Sequence, residues 1–339
     1  MKIARLIRSR TALVLALLAD LLIHSGQAGP YDYSAASFEH ALQVQELVTD
    51  EWLALDGVVG TAIGVDGQGR AVLKVFLESP GVATFPRFMG VEIIPEVTGA
   101  FTALPSEAEA ADPKTPFPRP VPIGVSTGHP NVTAGTIGAR ATDGAQVFAL
   151  SNNHIVAAVN GGREGDVLLQ PGIADGGRNP DDAIGSLYDF EPLHFCQLLS
   201  CPSNRIDAAI ALTTPENLGT ETPEGGYGKP RPWTHEPDLG LEVQKYGRTT
   251  GLTVGRITGV NATIDVRYRS GTARFENQIV ISGNGFSAGG DSGSLVVTKG
   301  LLLGDRRPVG LLFAGSPTST LANPIDLVLD RFGIGIDGS

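Results

Sequence analysis

The sequence predicts a mainly β, loop-rich globular protein, and three observations carry that prediction. Short apolar runs recur between stretches rich in Gly, Asp and Asn, the pattern of brief strands joined by turns. The 339 residues include 44 Gly and 23 Pro, which supply those turns. Hydrophobic residues make up 42% of the chain, too many for a disordered one, and the length suggests two or three compact units. Lys and Arg total 25 against 36 Asp and Glu, and the net charge of -11 argues against nucleic acid as the main partner.

The first 28 residues run from Lys2, Arg5, Arg8 and Arg10 through the apolar stretch Ala12–Ile23 to small residues around Gly26–Ala28. That is the three-part layout of a secretory signal, and it implies a secreted or periplasmic protein. Asp20 is costly in lipid, so an amphipathic surface helix in a cytoplasmic protein also fits. No later run reaches about 18 apolar residues, so no membrane span is expected once a signal is removed.

Residues 34–55 place Phe38, Leu42, Val48, Trp52 and Leu55 near one another on a helical surface. The text then changes to two β-rich runs separated by "DGQGR", a hairpin, and "MGVEIIPEVTGAF" supplies a further strand. Residues 29–102 thus read as a small α+β accessory or pro-domain without a tight cluster of polar chemistry. An acidic run and then Pro113, Pro116, Pro118 and Pro120 make 103–120 a linker or an extended arm. Beyond it strands dominate, and the Pro- and Gly-rich passage 213–240 divides them into halves at about 121–225 and 240–320. Two small barrels in tandem suit that division. "NPIDLVLDRFGI" predicts a closing helix at about 323–332.

Cys196 and Cys201 are the only two cysteines. They are too few to close a zinc site, and they fit either a disulfide in an exported protein or two unpaired loop thiols. Asp181 and Asp182 lack companion ligands, so neither a metal nor another cofactor is expected.

A hydroxyl nucleophile needs a base, and the base needs an orienting carboxylate. Of six histidines, His154 alone follows an apolar strand, "VFALSNN", at what should be the rim of a barrel. Asp207 sits among small and apolar residues in "NRIDAAIAL", where a carboxylate is expensive unless it accepts hydrogen bonds. Orienting the His154 ring would supply one; pairing with Arg205 would be a purely structural alternative. Ser292 in "GGDSGSLVV" completes the order His, Asp, Ser, and Gly290 and Gly293 permit a tight turn. The N–H groups of Gly290 and Ser292 could converge on a developing oxyanion.

These segments resemble the chymotrypsin-like serine peptidases: "SNNHIVAA" the histidine segment, "NRIDAAIAL" the aspartate segment, "GGDSGSLVV" the serine segment. "VGLLFAGS" is similar to the strand that lines the family's specificity pocket, and "SNNH" resembles a bacterial group with an N-terminal accessory domain. The resemblance covers roughly 120–333 and implies two perpendicular six-stranded β-barrels with the site in the crevice between them. It implies His154 as general base, Asp207 as its orienter, Ser292 as nucleophile, and Gly290 and Ser292 as oxyanion-hole donors. Phe286, where basic-specific members carry an aspartate, and Phe313 and Gly315 would line the substrate pocket. Phe286 argues against cleavage after Lys or Arg and for a modest apolar side chain. Asp291 would bind a new N-terminus, Arg140, Arg248 or backbone amides. A protein or peptide substrate follows, with an inactive peptide-binding relative or an esterase on the same fold as the alternatives.

Overall fold

The computed structural model describes residues 35–82, 85, 87–103, 112–300 and 306–338. The expected signal at 1–28 lies outside the described residues. Helix α1 (Ala35–Leu53) comes first and buries Ala41, Val44 and Val48 against Ile63, Leu73 and Val75. Those partners belong to β1 (Val58–Val65) and β2 (Ala71–Leu77), the antiparallel hairpin expected around "DGQGR". Asp66 shapes its turn, accepting hydrogen bonds from the backbone N–H groups of Gln68 and Arg70. β3 (Ile93–Val97) pairs parallel with β2, and β4 (Phe101–Ala103) follows.

The first half beyond the linker holds β5 (Ser126–Thr127), β6 (Gly135–Thr136), β7 (Ala139–Thr142) and β8 (Val147–Ser151). A single helical turn, α2 (Asn153–Val156), comes next, before β9 (Val167–Leu169), β10 (Ala183–Phe190), β11 (Ser203–Asn204) and β12 (Ala209–Thr213). The second half holds β13 (Glu242–Gly247), β14 (Gly251–Tyr268), β15 (Gly271–Ser282), β16 (Leu295–Thr298), β17 (Pro308–Gly315) and β18 (Ser319–Pro324). Helix α3 (Ile325–Phe332) and β19 (Gly335–Ile336) close the described chain.

The expected pair of six-stranded barrels does not form. Strands of the first half lie in an open six-stranded sheet ordered β19-β7-β8-β12-β10-β9, with β5 and β6 apart as a two-stranded sheet. Strands of the second half belong to an eleven-stranded mixed sheet ordered β11-β15-β18-β17-β16-β13-β14-β1-β2-β3, with β4 bonded to β14 and β17 and β15 bonded also to β14. The physical reason is the length of β14. Its 18 residues pair with β13 through Gly251–Arg256 and still offer Val260–Ile264 to β1 and Val266–Arg267 to β4. An apolar pattern decides which runs become strands, whereas the free edges of a long strand decide what joins them.

One core runs between the halves. Ile137, Leu150, Ile155 and Ala209 of the first half pack with Leu295, Val297 and Leu311 of the second and with Ile325 and Val328 of α3. A second cluster joins Phe76 and Phe101 of the N-terminal segment to Ile264, Phe275 and Phe313. The rims of these two clusters place the chemistry.

Candidate functional site

β8 ends at Ser151, and the chain turns sharply into α2. Asn152 fixes that turn by donating its side-chain N–H to the Asp207 carbonyl at 2.7 Å. Asn153 and Asn160 hold the following loop through reciprocal bonds of 2.8 and 3.0 Å. His154 is thereby presented to Asp207, which lies just before β12 and is fully buried. The His154 ring is 7% exposed, and its Nδ1 lies 2.6 Å from Asp207 Oδ2. Its backbone N–H donates to Oδ1 at 3.2 Å. A carboxylate only accepts, so Nδ1 carries a proton, and in the neutral imidazole Nε2 then holds the lone pair. Nε2 is buried and has no hydrogen-bond partner among the described residues.

Arg205, the structural alternative, is exposed and is not among the partners of Asp207. The carboxylate takes its third bond from Tyr268, whose hydroxyl donates to Oδ2 at 2.8 Å. Burial, followed by the nearby Asp207 charge, holds the Tyr268 phenol well above its ordinary value. The aspartate backbone is anchored separately, its N–H donating to Asn323 Oδ1 at 3.0 Å.

Ser292 lies in the turn before β16 and is fully buried. Gly290 and Gly293 have φ of 96° and 94°, the left-handed region that favours glycine. A side chain on Gly293 would also collide with Ser151 Oγ and the Thr136 carbonyl. Thr136 ties this turn to the strand that leads to His154: its N–H donates to Ser292 O at 2.8 Å, and its carbonyl accepts Ser151 Oγ at 2.7 Å. The N–H groups of Asp291, Gly293 and Ser294 are spent on backbone carbonyls, whereas those of Gly290 and Ser292 make no hydrogen bond among the described residues. Ser292 Oγ donates to the Phe313 carbonyl at 3.4 Å. The structure thus joins His154 to Asp207 and sets the serine turn against β6 and β8, with no hydrogen bond from Ser292 to the imidazole.

Asp291 supports the turn from below. It accepts the N–H groups of Ala288, Thr249 and Thr250 at 3.0, 2.8 and 3.2 Å and the Thr250 hydroxyl at 2.7 Å. Lys245 Nζ stands 3.4 Å away, both side chains being fully buried. Burial pushes the Lys245 ammonium below its ordinary value, against the opposing pull of Asp291. The two arginines expected as possible partners are engaged elsewhere: Arg248 with Asp175, Arg140 with Asp337.

The pocket residues divide. Phe286 is 2% exposed and packs into the core with Val243, Ile257 and Ile281, so its ring fills the sheet interior and lines no surface. Phe313 is buried beside Phe275, and Gly315 pairs with Thr102 of β4 and Thr320 of β18. Two surface cavities, of about 510 and 360 Å³, are lined by none of His154, Asp207 and Ser292. Cys196 and Cys201 are joined across a five-residue separation with their Cα atoms 4.0 Å apart. Among the described residues no His, Cys, Asp and Glu group could hold a metal, and no helix is long and apolar enough to cross a membrane.

Reasoning from the sequence missed Tyr268, Lys245 and Thr136. Each reaches the site from a distant strand, and no local spacing marks it. The two asparagines before His154 were a visible signal, though one read only as a resemblance.

The profile of the Nal1 C-terminal domain family matches residues 236–323. No curated protein matches. Among solved structures the chain is similar to Thermobifida fusca protease A, at 20% identity and a TM-score of 0.46, covering 65% of this chain and 100% of that one. It is also similar to Cellulomonas bogoriensis chymotrypsin, at 20% identity and a TM-score of 0.44, covering 65% of this chain and 99% of that one. A third likeness is to a glutamic-acid-specific serine protease, at 18% identity and a TM-score of 0.44, covering 64% and 100% of the two chains.

Proposed function

We propose that the protein is a serine peptidase in which Ser292 is the nucleophile, His154 the general base and acid, and Asp207 the residue that orients the imidazole. One observation carries this reading: beside the 2.6 Å pairing of Nδ1 with Asp207, buried His154 Nε2 has no hydrogen-bond partner among the described residues. A histidine kept for structure would be expected to satisfy both nitrogens, because an unpaired buried polar atom is costly. A base needs that nitrogen free.

In the proposed reaction the Ser292 hydroxyl turns from the Phe313 carbonyl toward Nε2, which takes its proton as Oγ bonds to the scissile carbonyl carbon. The carbonyl π pair moves to oxygen, and the N–H groups of Gly290 and Ser292 stabilise the resulting oxyanion. Collapse breaks the C–N bond, the amine leaves with the proton from His154, and an ester remains on Ser292. Water, deprotonated by His154, attacks that ester and restores the serine. Phe286 lies in the core and not at a pocket, so the proposed preference for a modest apolar side chain rests on the sequence resemblance alone. The N-terminal layout makes export part of the proposal, which N-terminal mass spectrometry of the mature protein tests.

A second reading, a peptide-binding protein without turnover, draws support from the burial of Ser292 and its bond to Phe313. A fluorophosphonate probe separates the two. Wild-type protein, intact or cut between residues 104 and 111, is expected to be labelled and to cleave peptides, and Ser292→Ala to do neither. Cleavage retained by Ser292→Ala would sink the nucleophile assignment. Wild-type protein that never labels would favour the binding reading.

A further inference from the structure

Oδ2 of Asp207 accepts two hydrogen bonds, one from His154 Nδ1 at 2.6 Å and one from the Tyr268 hydroxyl at 2.8 Å. Tyr268 is the last residue of β14, opposite Gly271 across the hairpin to β15. Its ring is held on three sides. It meets the edge of Phe195 at 5.8 Å, tilts against Phe275 at 6.2 Å, and stands at 71° to the His154 ring with centroids 5.9 Å apart. A phenol fixed in this way has one task open to its oxygen, because the described residues give it no other hydrogen-bond partner.

We propose that Tyr268 is a positioning residue for the candidate active site, fixing Asp207 so that its carboxylate holds the His154 imidazole in the tautomer with Nε2 unprotonated. This rests on the peptidase reading above. Asp207 can rotate about its Cα–Cβ and Cβ–Cγ bonds, and the two bonds from His154 both come from the residue it is meant to orient. A restraint on the carboxylate must come from elsewhere, and among the described residues Tyr268 is the side chain that supplies it. The aromatic contacts make that restraint stiff, since moving the hydroxyl means moving a ring packed against Phe195 and Phe275. Two donors on one oxygen also share its electron density, which moderates the pull of Asp207 on the Nδ1 proton. The phenol's ordinary value of 10.0 already keeps it protonated across the neutral range, and burial raises it further.

The test is Tyr268→Phe, which keeps the ring and its packing and removes only the donor. The expected result is a fall in kcat of about tenfold with KM changed less than about twofold, the size of one hydrogen bond to a charged group. The Nδ1–H proton of His154, read by NMR on the resting protein without substrate, is expected to shift its resonance. An unchanged resonance together with an unchanged kcat would overturn the proposal. Lowered thermal stability with both of those unchanged would also overturn it, since that is what a packing role alone gives. Tyr268→Leu, which loses ring and hydroxyl together, separates packing from donation if the Phe variant folds normally. The NMR readout needs no turnover. It therefore stands if Ser292→Ala shows the peptidase reading to be wrong, and it fails alone if Ser292→Ala is dead and Tyr268→Phe is indistinguishable from wild type.

Discussion

A fully buried carboxylate is tolerable only when its oxygens are occupied, and Asp207 achieves this with His154 and Tyr268. Asp207→Asn keeps the shape but offers an amide N–H where Nδ1–H needs an acceptor, favouring the wrong tautomer. Steady-state kinetics are expected to show a loss in kcat on the order of 10³–10⁴. Tyr268 adds a pH dependence whose sign is fixed. Its ordinary value is 10.0 and the folded value is raised, so the folded phenol keeps its proton while the unfolded one ionises. Stability is therefore full below about pH 10 and falls as pH rises above it. Denaturation midpoints followed from about pH 9 to 11 are expected to fall more steeply for wild type than for Tyr268→Phe. Buried Tyr227, also raised, contributes a slope of the same sign to both proteins and cancels in the comparison. At this scale the sequence singled out His154, Asp207 and Ser292 as candidates because each sits in a local pattern of strand end, apolar run or glycine turn. It hid Tyr268, because an aromatic residue at the end of a strand has many ordinary uses.

The turn that carries Ser292 depends on glycine for two separate reasons, its left-handed backbone at 290 and 293 and the close approach of β6 and β8 to Gly293. Gly293→Ala meets both obstacles. We expect a loss of about 2–4 kcal/mol in chemical denaturation and no labelling of Ser292 by a fluorophosphonate. That much could be read from "GGDSG", since glycines on both sides of a serine mark a tight backbone turn. The support beneath the turn could not be read so. Lys245 lies 46 positions before Asp291 and reaches it from β13, and Thr249 and Thr250 reach it from the loop into β14. Lys245→Met leaves Asp291 with its amide and hydroxyl donors but no counter-charge, and should cost about 3 kcal/mol. Pairing it with Asp291→Asn removes the stranded charge, so the double variant is expected to be more stable than the sum of the single losses. A double-mutant cycle measures that difference. If the losses simply add, the two residues do not act as a pair.

At the level of the whole molecule, the reading of mainly β structure after an N-terminal helix and hairpin was legible, because alternation and turn residues are local. The division into two equal barrels was not, because β1 pairs with β14 across about two hundred positions. That long-range pairing has a consequence for the site. It brings β4 onto β17, where Thr102 and Ala103 pair antiparallel with Gly315 and Ala314, next to Phe313, whose carbonyl takes the bond from Ser292. Phe101 anchors the segment in the core, 5.8 Å from Phe76. With Ser292 fully buried and His154 only 7% exposed, the proposed reaction requires something on this rim to move before a peptide could reach the serine. β4 is a three-residue strand held between β14 and β17, the shortest strand on this rim, so it is the element expected to yield. Thr102→Pro removes the N–H at the centre of this three-residue strand while leaving Phe101 in place. The rate of fluorophosphonate labelling of Ser292 is expected to rise about tenfold, the effect of losing one hydrogen bond from the closed state. Labelling at the wild-type rate, in a variant whose circular dichroism and melting are otherwise normal, would show that β4 does not guard the serine and that access is controlled from another side.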